Sequence, residues 1–95
     1  MIFKDWFKDY FNAYCVDVIT YVKQQDYMYI YKKHYYPIAD MELAEIKPID
    51  IQRCIKTTKG YCSQRQRDTF FLLRRVLQEA LYNGYIDKNP AEYIK

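Results

Sequence analysis

Between residues 53 and 75 the chain carries seven bases (Arg53, Lys56, Lys59, Arg65, Arg67, Arg74 and Arg75) and a single acid, Asp68. That stretch is therefore +6, and because the formal net charge is +3 the remainder is −3. Clustered Lys and Arg are what binding a polyanion requires, since each brings a full charge and N–H donors to an oxyanion. The plain alternative for such a run is a solvated face with no ligand. Other chemistry is harder to assemble from these residues. The single histidine, His34, has no second imidazole with which to share a metal. Its place on an apolar stripe marks a core histidine with satisfied nitrogens. The three cysteines, Cys15, Cys54 and Cys62, are odd in number and irregular in spacing, so neither a disulfide framework nor a zinc site is expected. They read as reduced thiols filling core or rim space, which points to the cytoplasm. Ser63 is better explained as a helix cap than as a nucleophile, for want of an activating base. A tyrosine nucleophile needs cations gathered around the phosphate in transit, and the twelve tyrosines alone do not supply them. There is no glycine-rich phosphate loop. No catalytic residue, cofactor or metal is expected.

The basic residues need elements to position them. The longest segment with helical signals at both ends is 63–84, SQRQRDTFFLLRRVLQEALYNG. Ser63 is expected at the N-cap, with Gln66 completing a capping box. Gly84 stands where a helix commonly ends in the left-handed conformation. Phe70, Leu73, Leu77, Ala80 and Leu81 recur at three- and four-residue steps and share one face. Arg67 and Arg74 flank that stripe, while Arg75 and Gln64 point roughly away from it. One helix thus offers both a core face and a basic, hydrogen-bonding face.

Three shorter helices are expected before it. The first, 3–14, has Phe3, Phe7, Tyr10, Phe11 and Tyr14 as its apolar stripe, with Trp6 beside them. Residues 15–22, rich in β-branched side chains, fit either an extended connection or a continuation of that helix. The second helix, 24–35, places Tyr27, Ile30, Tyr31 and His34 on one face and Lys32 and Lys33 outside it. Pro37 ends it, because a residue before proline avoids the α region. A loop over 39–47 carries Asp40, Glu42 and Glu45, and Leu43 and Ile46 tuck it against the core. The third helix begins at Pro48, with Asp50 in its first turn and Ile51, Cys54 and Ile55 facing inward, and stops near Thr57 or Thr58. Beyond Gly84, Tyr85 and Ile86 are expected to fold back, and 91–95 to open another short helix. All three prolines and both glycines fall at element boundaries, and no hairpin signal occurs. The fold class expected is all-α: one domain over 1–95, a compact four-helix bundle with a long C-terminal helix. No apolar run approaches the ~18 residues a membrane span needs. The opening MIFKDWFKDYF has the character of neither a signal nor a transit peptide.

The order of these signals resembles the N-terminal core-binding (SAM-like) domain of tyrosine recombinases, the phage and transposon integrases. The likeness is carried by the aromatic opening helix FKDWFKDYF, and by Tyr27 and His34 followed by Tyr36-Pro37-Ile38. It continues through LAEIKPIDIQ at 43–52 and LLRRVLQEALYNGYIDKNPA at 72–91. It covers nearly all of the chain. The sequence departs from the family pattern around Ala39-Asp40, where a loop glycine is replaced, and near Val22-Lys23, where the usual Ser/Thr cap is missing. Gln66 and Thr69 stand where the family often has apolar residues.

The resemblance implies a SAM-like bundle that binds double-stranded DNA at recombination core sites, as the N-terminal domain of an integrase acting in DNA integration and recombination for a phage or other mobile element. Catalysis would belong to a separate C-terminal domain beyond Asn89-Pro90-Ala91, so this part is expected not to be an enzyme. Its partners would be duplex DNA, its own catalytic domain and an oligomer formed on the DNA, with no membrane. The second and fourth helices would approach the major groove. Gln64 and Arg67 would face base edges, where Arg favours guanine and Gln adenine. Lys32, Lys33, Lys56, Lys59, Arg65, Arg74 and Arg75 would meet phosphates, which set register without reading sequence directly. With a net charge of +3 the domain alone should bind weakly and gain affinity through its tether. The competing class is a helical protein-interaction module without nucleic-acid binding, suggested by Phe71 off the core stripe and by the tyrosine surplus. A small standalone repressor is a third reading, but no two-helix unit with a tight glycine turn supports it. Whether the bases and exposed aromatics share one concave face separates the first two.

Overall fold

Aromatic residues at three- and four-residue steps wind the start of the chain into α1 (Phe3–Tyr10), which buries Phe3, Trp6, Phe7 and Tyr10. The computed structural model, which describes residues 1–93, continues this helix as a wider π-helical turn over Phe11–Cys15. The expected helix over 3–14 is therefore helical throughout but changes pitch at Phe11. The connection after it runs through turns over 16–19, neither a continuous extended segment nor a continued helix. Val16 is extended, and Asp17 takes a left-handed φ of 64°, a conformation its short polar side chain tolerates.

No side chain caps the N-terminus of α1. The loop after the second helix supplies backbone instead: Phe3 N–H donates to the Met41 carbonyl at 2.8 Å and Lys4 N–H to that of Ala39 at 3.0 Å. Two of the orphan donors of a helix start are thereby satisfied. Leu43 N–H returns a bond to the Met1 carbonyl at 2.9 Å. The same loop buries Leu43 and Ile46, as expected, around one 3-10 turn at Leu43–Glu45. An isolated bridge joins Ile2 and Glu42, and no strand forms among the described residues.

The second helix, α2 (Tyr21–His34), starts three residues before the expected 24. Thr20 is its N-cap, and its Oγ1 accepts the Lys23 N–H at 3.3 Å. The Ser/Thr cap missing near Val22-Lys23 is thus present upstream, at the end of the β-branched run Val18-Ile19-Thr20. Helix α3 (Pro48–Lys56) begins where expected, and Asp50 Oδ2 accepts the Lys47 N–H at 3.0 Å. Ile51 and Cys54 are buried and Ile55 is half-buried. Thr57 and Thr58 end the helix by donating their hydroxyls to the Cys54 and Ile55 carbonyls.

The spine is α4 (Ser63–Tyr82), and here two expectations are corrected. Ser63 is the first helical residue, not the cap. Cys62 holds the N-cap position, and its side chain caps nothing. Gln66 completes no capping box; its Nε2 donates instead to the Tyr61 carbonyl at 3.1 Å. The buried stripe is also rotated, to Thr69, Leu72, Leu73, Val76, Leu77 and Ala80, leaving Phe70 and Leu81 half-buried. Polar Thr69 can sit in the core because its Oγ1 donates to the Arg65 carbonyl at 2.8 Å. Its own carbonyl receives the Tyr35 hydroxyl at 2.7 Å. Trp6 Nε1–H likewise donates to the Val76 carbonyl at 2.9 Å, fastening α1 to α4. Around these bonds Phe3 meets Tyr35 edge-on, with ring centroids 5.9 Å apart, and Phe7 stacks on Tyr31 at 4.4 Å.

Gly84, at φ 80°, ends α4 as expected. Tyr85 N–H returns to the Ala80 carbonyl and Gly84 N–H to that of Leu81, both at 3.0 Å, the paired bonds of a Schellman motif. Ile86 is buried, whereas Tyr85 stays 43 % exposed with its ring beside Trp6. Asn89 then docks the chain on α4: its Nδ2 donates to the Arg74 carbonyl and Gln78 Oε1, and its Oδ1 accepts the Ala91 N–H. A 3-10 turn follows at Pro90–Tyr93. The short helix expected over 91–95 is met by this turn as far as Tyr93; Ile94 and Lys95 lie outside the described residues. The protein is an all-α bundle of four helices with a long C-terminal helix. Among the described residues no helix is long and apolar enough to cross a membrane.

Candidate functional site

Three elements meet where α2 ends, α3 ends and α4 begins. Tyr29 and Lys33 stand four residues apart on α2, and Tyr61 and Arg65 four residues apart across the start of α4. Residues so spaced on a helix are neighbours. The Arg65 guanidinium lies 4.7 Å from the centre of the Tyr29 ring and 5.5 Å from that of Tyr61. Lys33 Nζ lies 5.7 Å from the centre of the same Tyr29 ring. Two cations therefore share one aromatic ring, an arrangement in which the ring quadrupole offsets part of their repulsion. His34 is beneath, 1 % exposed, with its ring edge-on to Tyr61 at 5.0 Å.

His34 Nδ1 is 2.8 Å from Thr57 Oγ1. It is the expected core histidine, but only half satisfied: Nε2 is buried with no partner among the described residues. Burial first, then the nearby Arg65 and Lys33 charges, push its pKa below the ordinary value. Arg65 Nη1 is likewise buried and unpartnered among the described residues.

The remaining predicted residues divide by face. Gln64, Arg67, Arg74 and Arg75 lie on the outward side of α4, all exposed. Arg67, Phe71 and Arg74 form a row along it at four- and three-residue steps, and Phe71 is 52 % exposed. Gln64 Nε2 donates to Asp68 Oδ1 at 2.8 Å, so its amide is engaged within its own helix. Arg74 and Arg75 share a shallow hollow with Phe71 and Tyr82, and also with Glu79 and Glu92. That end of α4 is consequently of mixed charge. Lys56 and Lys59, both exposed, lie at the end of α3 and in the loop that carries Tyr61. Lys32 lines a hollow with Tyr29, Tyr21, Gln25 and Met28.

The ion pairs among the described residues are Met1–Glu42, Lys4–Asp40 and Arg53–Asp50. Arg53 is thereby withdrawn from the basic block, and none of the predicted lysines and arginines is paired. The aromatic members, Tyr29 and Tyr61, were not among the sequence candidates, although their spacing to Lys33 and Arg65 was available to find them. Cys15 and Cys54 are buried free thiols that fill core space, and burial pushes that of Cys54 up to about 12. Cys62 is exposed.

The fold matches a solution NMR structure of a fragment, residues 61–160, from Clostridium leptum, with a TM-score of 0.88 and 26 % sequence identity. The match covers 99 % of this chain and 86 % of that one. No family model and no curated protein matches the chain.

Proposed function

We propose that this domain binds double-stranded DNA, and that it does so at recombination core sites as the N-terminal domain of a tyrosine recombinase. The observation that supports the DNA reading is the Lys33–Arg65 couple on Tyr29, without ion-pair partners among the described residues, with Lys59 in the loop before α4 and Arg67 on the far side of that helix. Cations held by aromatic rings rather than by carboxylates keep their charge available to phosphates. Arg67, exposed on the outward face of α4 two residues beyond Arg65, is the candidate base-reading side chain under this proposal. The recombinase assignment rests on the order of sequence motifs, with catalysis assigned to a separate domain.

The test is a fluorescence-anisotropy titration of the chain with short duplex DNA at low and moderate salt. Affinity should fall steeply with salt, each neutralised phosphate adding about 0.9 to the logarithmic slope. Absence of binding at low salt would contradict the reading.

One observation favours a second reading. Phe71 and Tyr82 are 52 % and 72 % exposed beside Arg74 and Arg75, a mixed surface of the kind that docks another protein domain. Under that reading Phe71→Ser would abolish partner capture and leave the DNA titration unchanged.

A further inference from the structure

Two open hollows meet at Phe11 and Met28, on the flank where α1 and its π-helical turn lie beside α2. The first, of about 490 Å³, is lined by Lys4, Lys8 and Phe11 on one side and by Met28 and Tyr31 on the other, with the buried Phe7 beneath. The second, of about 440 Å³, continues past Phe11 and Met28 to Tyr21, Tyr29 and Lys32. Together they make a groove with an apolar floor and cationic rims. Lys4 and Lys8 stand one turn apart on α1, Lys32 stands on α2, and all are exposed. Asp5 is the single acid that lines either hollow. Lys4 pairs at 3.1 Å with the exposed Asp40, a weak surface contact, whereas Lys8 and Lys32 have no ion-pair partner among the described residues.

Charge decides what such a groove fits. An apolar floor between lysines is complementary to a helix whose apolar stripe is flanked by carboxylates. The α1 rim from Lys4 to Asn12 spans about 12 Å, so the occupant needs only about two to three turns to follow it. Nucleic acid fits the floor poorly. A stacked base needs a free ring face, but Phe7 is buried and its ring lies against Tyr31 at 4.4 Å and Phe11 at 6.4 Å. A second copy fits no better. The exposed Phe71 of α4 is accompanied by Arg67, Arg74 and Arg75, and these would set cations against the lysines of the rim.

We propose that the Phe11–Met28 groove docks an acidic amphipathic helix of another protein, its apolar side chains entering the two hollows and its carboxylates meeting Lys8 and Lys32. Met28, flexible and half-buried, adjusts to the incoming side chain. The lysines at the rim set the charge preference and the salt dependence. This does not depend on the DNA-binding reading, and the groove is separate from the Phe71–Tyr82 hollow.

The probe is a synthetic helical peptide of about fifteen residues, with leucines at i, i+4 and i+7 and glutamates beside them. It is titrated into the chain and followed by amide and methionine-methyl NMR shifts. Met28 is one of three methionines, so substitution assigns its methyl signal. Saturable shifts are expected at Lys8, Phe11, Met28 and Tyr31, with affinity falling as salt rises. Lys8→Glu combined with Lys32→Glu should weaken binding by about tenfold. A peptide carrying lysines in place of the glutamates should bind that double variant better than it binds the parent. Both positions are exposed, so the reversal leaves the core untouched. Equal binding of the two peptides by the parent chain overturns the proposal in favour of indiscriminate apolar adhesion. Groove signals that move with the concentration of the chain alone overturn it in favour of a second copy. Groove shifts with a single-stranded oligonucleotide but none with the peptide overturn it in favour of nucleic acid. No saturable shift, or shifts at Phe71 and Tyr82 instead, removes the groove as a docking site.

Discussion

His34 Nδ1 donates to Thr57 Oγ1 across 2.8 Å, joining the last turn of α2 to the residue that closes α3. The bond fixes the ring as the Nδ1–H tautomer, because the Thr57 proton is committed to the Cys54 carbonyl. Stability in acid follows from it. The folded pKa lies below the ordinary value of about 6.5, so the unfolded chain binds the proton first. Stability is complete above that value, falls as pH drops through the window below it, and levels off once the folded pKa is passed. Urea midpoints measured from about pH 7.5 down to about pH 5 should decline. A midpoint that rises on acidification through this window contradicts the assignment.

Tyr35 is fully buried, and burial holds its phenol well above the usual range. Its hydroxyl donates to the Thr69 carbonyl at 2.7 Å. Tyr35→Phe keeps the ring contacts with Phe3 and Phe7 and loses that bond. The expected cost is about 1 kcal/mol in chemical denaturation, with DNA affinity unchanged. A loss of affinity without a loss of stability would remove Tyr35 from a purely structural role.

Asp50 does two things: it caps α3 through the Lys47 N–H and pairs with Arg53 at 3.0 Å. Asp50→Ala should destabilise the fold by about 1 kcal/mol through the lost cap. It also releases Arg53 into the basic block. DNA affinity at low salt should therefore stay level or rise while the denaturation midpoint falls. A parallel fall of both would show that Arg53 takes no part in the field of that face.

Arg67 is exposed, unpaired among the described residues, and separated from the Tyr29 cluster by the curve of α4. If it reads a base, Arg67→Ala weakens binding to the cognate site by about 1–3 kcal/mol and barely alters binding to random duplex. A phosphate contact would weaken both equally, and equal binding by variant and parent would remove Arg67 from the interface.

The helices were legible because their apolar residues recur at helical steps, and Pro48 and Gly84 punctuate them as local chemistry requires. The errors lie where a polar residue took a structural part. Thr20 ends a β-branched run that carries no helix-start signal, so the sequence pattern starts α2 three residues late. Thr69 is polar, so an apolar stripe read from the sequence runs through Phe70 and Leu81, one flank away from the face α4 buries. Gln66 had the right spacing for a capping box, but its amide turned to the Tyr61 carbonyl. At the candidate site the basic residues were legible as a charge block, yet their sorting into junction and outward face was not. Arg65 sits on the core flank of α4, beside α2, and Gln64 and Arg67 on the far side. Tyr29 and Tyr61 were masked by a composition in which tyrosine is common. The His34–Thr57 bond spans 23 residues of sequence, a separation at which no local pattern speaks.

The most direct measurement is an amide chemical-shift map of the chain titrated with short duplex DNA at low salt. The account predicts the largest shifts at Tyr29, Lys33, Tyr61 and the first turn of α4, extending along its outward face to Arg67. Shifts confined instead to α1 and the loop that caps it, or to the Phe71–Tyr82 hollow alone, would contradict it.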